Sequence, residues 1–162
     1  MIGNELKIKI QKAELSDIDE LTRLSRMLWD FEGRLDSHYS VSENFEIMFK
    51  GQLRRNLGRR DAAIFKAVHK GKIVGQISGE VQEKVPYRKL SKVGYMEYLF
   101  VAKPYRGKGV ATCLVEELLR WFRKKGLRHA EVIAISRNMR ANHFYRKLGF
   151  REIHRKYMLP LR

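Results

Sequence analysis

Only one cysteine, Cys113, stands among the 162 residues, so no disulfide can close within the chain and no cysteine-based metal site can be assembled. Its place on an otherwise apolar helical stretch predicts a small buried side chain rather than a nucleophile. The histidines, His38, His69, His129, His143 and His154, keep no metal-ligand spacing, so no metal is expected, and His143 reads as a surface residue. There is no repeat, no low-complexity tract and no linker, and the length suits a single domain over residues 1–162. No apolar run approaches a membrane span, and Met1 to Lys7 lacks the apolar core of a signal peptide. These absences predict a soluble cytoplasmic protein with no membrane partner. No Gly-Lys-Ser/Thr follows a glycine loop, and neither Ser78 nor Ser136 sits in a nucleophile turn, which removes nucleotide hydrolysis and serine-based acyl chemistry.

Acidic residues are scarce in one half of the chain. The formal charge is +16, and the sequence divides it unequally: residues 1–83 hold 14 Lys+Arg against 13 Asp+Glu, whereas residues 84–162 hold 20 against 5. Such a basic half admits an anionic ligand, a nucleic acid or a ribosomal setting as partner. Hydrophobic residues make up 44%, the usual share for a packed fold.

The basic half contains two strand-to-helix junctions. In the first, the strand Tyr95 to Val101 passes through Ala102-Lys103-Pro104-Tyr105-Arg106-Gly107-Lys108-Gly109 into a helix with apolar residues at Val110, Ala111, Leu114, Val115, Leu118, Leu119 and Phe122. Unpaired N–H groups and the positive end of the dipole would meet an approaching anion there. Gly107 and Gly109 clear the approach, while Arg106 and Lys108 add mobile positive charge. In the second, Ala130 to Ser136 reads as a strand, Asn138 as a helix N-cap and Gly149 as the residue that ends that helix.

Arg106-x-x-Gly109-x-Ala111, together with Asn138-x-x-Ala141-x-x-Phe144-Tyr145-x-x-Leu148-Gly149-Phe150, resembles the GNAT superfamily of acyl-CoA-dependent N-acetyltransferases. The likeness runs from Glu97 to Phe150. It implies acetyl-CoA as acyl donor, a primary amine as acceptor, direct transfer in a ternary complex, and a fourth and fifth strand that splay apart around the pantetheine arm. Leu99, Phe100 and Val101 would pair with that arm through their backbones, with the Val101 N–H near the acetyl carbonyl. Arg106, Gly107, Lys108, Gly109, Val110, Ala111 and Thr112 would hold the pyrophosphate, and Asn138 and Tyr145 would complete the cofactor site. The resemblance also implies Glu97 as general base or as the anchor of a cationic substrate, and Tyr145 as the acid that protonates the departing thiolate. Period-2 alternation puts Glu97 on the same face of its strand as Leu99 and Val101. Dimers are common in the superfamily, so a homodimer is admitted.

The rest of the chain supplies the remaining elements. Leu6 to Leu15 predicts a first strand, Ile18 to Leu28 a helix, Ser42 to Leu57 a second, and Ala62 to Val68 with Ile73 to Val81 a hairpin around Lys70-Gly71. Arg151 to Leu159 reads as a last strand. The expected order is β-α-α-β-β-β-α-β-α-β: an α/β (α+β) fold with a mixed, mostly antiparallel central sheet of six to seven strands flanked by about four helices. Asp30, Glu32 and Asp36 read as exposed charge near the first inter-helix loop; drawn inward, they would attract a cationic amine. Tyr39 and Phe45 are candidates to line a pocket. An aminoglycoside- or polyamine-like small molecule and a protein lysine are both admitted as acceptors, and two rival functions remain. Protein N-terminal acetyltransferases usually carry Glu-x-Arg on the strand before the Asn, where this chain has Ile133 and Ile135. A basic RNA- or ribosome-binding module would keep the fold without turnover, but its basic residues lack the interleaved exposed aromatics of a stacking platform.

Overall fold

The computed structural model describes residues 6–161. Five strands form one sheet in sequence order: β1 (Lys9–Lys12), β2 (Ala62–His69), β3 (Lys72–Glu83), β4 (Lys92–Val101) and β5 (Ala130–Val132). The first four pair antiparallel and β5 joins β4 parallel. Lys70 and Gly71 both take positive φ in the two-residue turn between β2 and β3, the geometry that matches the twist of a tight hairpin. Four helices cover the sheet: α1 (Ile18–Leu35), α2 (Phe45–Gly58), α3 (Val110–Lys124) and α4 (Met139–Lys147).

The two faces hold two cores. On one, α3 lays Val110, Leu114, Val115, Leu118 and Phe122 against Ile77 of β3 and Met96 and Val101 of β4. Glycines on the sheet let it approach: a Cβ on Gly94 would stand 2.4 Å from the Phe122 ring, and one on Gly79 2.8 Å from Leu118 and Phe122. On the other face, Leu21 of α1 and Phe45, Phe49 and Leu53 of α2 pack on Ile64 of β2. A buried bond from Gln76 of β3 to Ser25 of α1, 2.5 Å long, fixes how α1 crosses the sheet.

Cys113 is exposed, contrary to expectation. With Val110, Leu114 and Leu118 at i, i+4 and i+8 facing the sheet, position 113 falls on the opposite side of α3. The strand expected over Arg151 to Leu159 is absent among the described residues, which brings the sheet to five strands. Its apolar residues fall at 153, 157, 158 and 159 without a sustained alternation, and Ile153, Tyr157 and Leu159 remain 64–84% exposed. No helix of the described residues is long and apolar enough to cross a membrane.

Candidate active site

The site lies where β4 and β5 part. Parallel pairing holds from Gly94↔Ala130 to Met96↔Val132 and then ends, although the sequence reading carried the fifth strand on to Ser136. Beyond that point β4 bulges. Ser78 of β3 faces Glu97 but Gln76 faces Phe100, so Tyr98 and Leu99 together oppose Ile77, and Tyr98 takes φ 50°. A bulge adds a residue to one strand and bends it away from its neighbour. Left-handed backbone at a tyrosine costs on the order of 1–3 kcal/mol, which the surrounding packing must offset. Tyr98 is held on both sides. Its ring sits 5.1 Å from Phe49 and 5.8 Å from Trp29, and its hydroxyl accepts a 3.2 Å bond from Gln52 Nε2.

The bulge corrects the predicted facing of Glu97. Met96, Leu99 and Val101 pack toward α3, whereas Glu97 pairs with Ser78 and Tyr98 joins the α1–α2 core, so Glu97 lies on the face opposite Leu99 and Val101. One extra residue reverses the phase of everything after it.

A cleft of about 70 Å³ opens at the split. Leu28 and Glu32 of α1 form one wall; Glu97, Tyr98 and Leu99 line the β4 side; Val132, Ile133 and Ala134 line the β5 side; Asn138, Ala141 and Tyr145 close the end. Burial raises the Glu97 carboxyl to about 7, helped by the negative charge of Glu80 and opposed by Arg59. Arg59 is largely committed elsewhere, with bonds of 2.9 Å to Asp61 and 2.8 Å to Glu80. Burial and then the Glu32 charge push the Tyr145 phenol up, and burial followed by the Glu97 charge takes Tyr98 up to about 12. The cleft therefore joins a carboxyl that titrates near neutrality to a phenol that keeps its proton.

Asn138 caps α4, its side-chain oxygen accepting from Ala141 N–H at 3.1 Å. The amide of Asn142 donates to the carbonyls of Ile135 at 2.9 Å and Asn138 at 2.8 Å, pinning the helix to the segment that follows β5. Tyr145, two turns on, then points into the cleft, its ring 5.6 Å from Phe150. Gly149 takes φ 91° and ends the helix as expected.

Beside the cleft stands the N-terminus of α3. Gly107 and Gly109 have φ 71° and 78°, and nothing lies within 4 Å of where a Cβ would be on either, so the approach to the first amides is open. Lys108 is exposed there, and Val110, Ala111 and Thr112 form the first turn, Val110 buried against the core. Arg106 is not mobile, contrary to expectation. Its Nε donates 2.7 Å to the Val101 carbonyl and its guanidinium lies 5.3 Å from the Phe100 ring centroid. Ala102 N–H donates to Val74 across the sheet at 2.8 Å, so by alternation the polar groups of Val101 face the other way, into the gap that β5 vacates. Arg106 takes the carbonyl, and the Val101 N–H on the same side is turned away from β3.

Among the acids expected near the first loop, Asp30 pairs with Arg26 at 2.8 Å and Asp36 accepts from His38 N–H, while Glu32 alone lines the cleft. Phe45 belongs to the α2 core and Tyr39 is 37% exposed. The bulge and the inward turn of Glu32 were missed. A helical stripe through Leu21, Ser25, Leu28 and Glu32 was the available signal for the second; the bulge leaves none in so ordinary a strand sequence.

A model of the Acetyltransferase (GNAT) family matches residues 21–150. N-alpha-acetyltransferase MAK3 of Arabidopsis thaliana is 36% identical over 93 residues, 57% of this chain and 47% of that protein, so the chain spans about half the length of this relative. An uncharacterised N-acetyltransferase of Archaeoglobus fulgidus is 25% identical over 85% of this chain and 89% of its own. Among solved structures, the aminoglycoside N-acetyltransferase AAC(6')-Iy in complex with CoA superposes with a TM-score of 0.80 at 20% identity, covering 100% of this chain and 99% of that one. A predicted acetyltransferase with acetyl-CoA from Clostridium acetobutylicum gives 0.79 at 17%, covering 95% and 96%. With the model covering most of its length, and the split strands and capped helix in place, the chain belongs to the acetyltransferase (GNAT) family.

Proposed function

We propose that this protein transfers the acetyl group of acetyl-CoA directly to a primary amine, with both substrates bound together. The observation that carries this reading is the meeting of Glu97 and Tyr145 in one cleft between split strands, beside an open helix N-terminus. Two matched titrating groups with opposite tasks are what acid–base chemistry at neutral pH needs.

The residues fit the donor. A pyrophosphate would meet the free amides of the first turn of α3 over Gly107 and Gly109, with Lys108 beside it. Arg140 approaches closely enough for its charge to act on Arg106, and it stands as the second cation of that end. The pantetheine arm would take the place β5 gives up along Leu99, Phe100 and Val101, with the Val101 N–H available to a carbonyl oxygen. Bound there, the donor supplies an activated thioester; the chain supplies position and proton traffic. Glu97 receives a proton from the acceptor ammonium, directly or through water, and yields it to solvent. As the C–N bond formed and the C–S bond broke, Tyr145 would give its proton to the departing thiolate, and the second amine proton, leaving the nitrogen as the amide forms, would pass through water to restore the phenol. The net products are amide, thiol and one proton. Since Glu97 must be ionised, activity rises with pH through about 7.

Calorimetry of acetyl-CoA with the wild type and with Gly109→Asp tests the reading. Binding lost in the variant supports it, because the new carboxylate stands where the pyrophosphate would lie. Absence of binding in both proteins removes the acetyltransferase reading and favours the RNA-binding alternative suggested by the basic half of the sequence.

A further inference from the structure

The geometry points to Glu32 as the residue that selects the acceptor, holding a second positive charge on an amine whose reacting nitrogen sits at Glu97. This rests on the acetyl-transfer reading of the cleft.

The stripe of α1 that faces the sheet runs Leu21, Ser25, Leu28, Glu32. Leu21 and Ser25 are fully buried, Leu28 lines the cleft, and where a further apolar residue would continue the stripe the chain places a carboxylate. Burial raises the Glu32 carboxyl, so its position works against its own charge. Other acids along α1 have cations: Glu20 bonds Arg23 at 2.6 Å, Asp30 bonds Arg26 at 2.8 Å, and Asp19 bonds Lys50 at 2.9 Å. Among the described residues Glu32 has no ion pair, although Arg34 is two residues away with its guanidinium turned to the Phe31 ring. In a chain with 34 cationic side chains, a half-buried carboxylate without a cation stands out against the prevailing pattern. A half-buried carboxylate is favoured in its charged form by an opposite charge, and the cleft that Glu32 lines is a direction from which one can come.

Glu97 and Glu32 occupy different walls, β4 and α1. The charges that act on Glu97 are those of Glu80 and Arg59, and burial is what acts on Glu32. Placed on separate walls, the two carboxylates are assigned separate positions on the acceptor rather than one shared ammonium. The acceptor they suit is a primary amine carrying another cationic nitrogen a short chain away. Such a molecule would keep its second charge throughout the reaction, so Glu32 contributes to binding and orientation while Glu97 handles the proton.

The test compares a series of α,ω-diamines of increasing length with n-alkylamines of equal carbon count, using wild type, Glu32→Gln and Glu32→Asp, with acetyl-CoA binding followed separately by calorimetry. The wild type should favour a diamine in kcat/KM, and Glu32→Gln should lower that preference about tenfold, as expected for losing a hydrogen bond between charged groups. The loss should fall mainly in KM, and Glu32→Asp should restore part of it. Equal rates for paired diamine and monoamine in the wild type, or an equal loss of both in Glu32→Gln, would overturn the assignment. Should acetyl-CoA fail to bind, the transfer reading falls by itself. Calorimetric titration of diamine and monoamine without donor then decides the Glu32 assignment, and equal binding of the two overturns it.

Discussion

Replacing Glu97 by glutamine should separate catalysis from stability in a single variant. The carboxyl is raised from 4.5 to about 7, so the native protein binds its proton more tightly than the unfolded chain does. The resulting stabilisation is fully present below about pH 4.5 and is lost as pH rises through about 7, beyond which the native state carries a half-buried carboxylate. The difference of 7 − 4.5 = 2.5 pH units corresponds to about 3 kcal/mol at ~1.4 kcal/mol per unit, an upper figure because solvent reaches part of the group. Glutamine has no such proton to lose. Chemical denaturation should therefore show Glu97→Gln gaining up to about 3 kcal/mol over the wild type above roughly pH 8 and little of that near pH 4. In the same variant kcat/KM should fall about 100-fold or more, and the limb that rises through pH 7 in the wild type should vanish. A variant that retains the limb refutes Glu97 as the base. One that loses activity without gaining stability at high pH refutes the buried-carboxyl account of its raised titration.

Tyr145→Phe should lower kcat by about 100-fold while acetyl-CoA binding measured by calorimetry stays intact, and an unchanged kcat would leave thiolate protonation to another donor. Glu80→Gln removes a negative charge that raises Glu97, so the rising limb of the pH–rate profile should move below 7; a limb that stays in place would refute that coupling. Gly94→Ala drives a methyl to 2.4 Å from the Phe122 ring and should cost about 2 kcal/mol or more in denaturation, whereas Gly58→Ala, with nothing within 4 Å, should leave packing undisturbed. If the basic half serves a nucleic acid, RNA affinity should fall steeply with salt, and a flat dependence measured by fluorescence anisotropy would dismiss that role.

Much of the fold was legible because its signals are local. The apolar runs of β2 and β3, the Lys70-Gly71 turn, and the 110/114/118/122 stripe of α3 each follow from a few neighbouring residues. The same holds for the Asn138 cap and the Gly149 stop. What escaped depends on partners distant in sequence. The apolar run carries past Val132 in the sequence, but pairing ends there, where β4 bulges at Tyr98. The face assigned to Glu97 was reversed for the same reason. Glu32 looked like loop charge because Gly33 and the polar run after it read as the end of the helix, although the stripe through Leu21, Ser25 and Leu28 carries on to it and α1 runs to Leu35.

Arg106 bears on what the parted strands expose. A cleft made by prising neighbouring strands apart creates an edge in the middle of a sheet, and unpaired edge groups invite another chain to add on. By occupying the Val101 carbonyl and lying over Phe100, Arg106 takes one of those edge groups and sets a charge beside it. The arginine of the turn then has a duty that precedes any ligand: it keeps the gap from being zipped shut by the wrong backbone, and a chain lacking it would be expected to clump before it failed to bind.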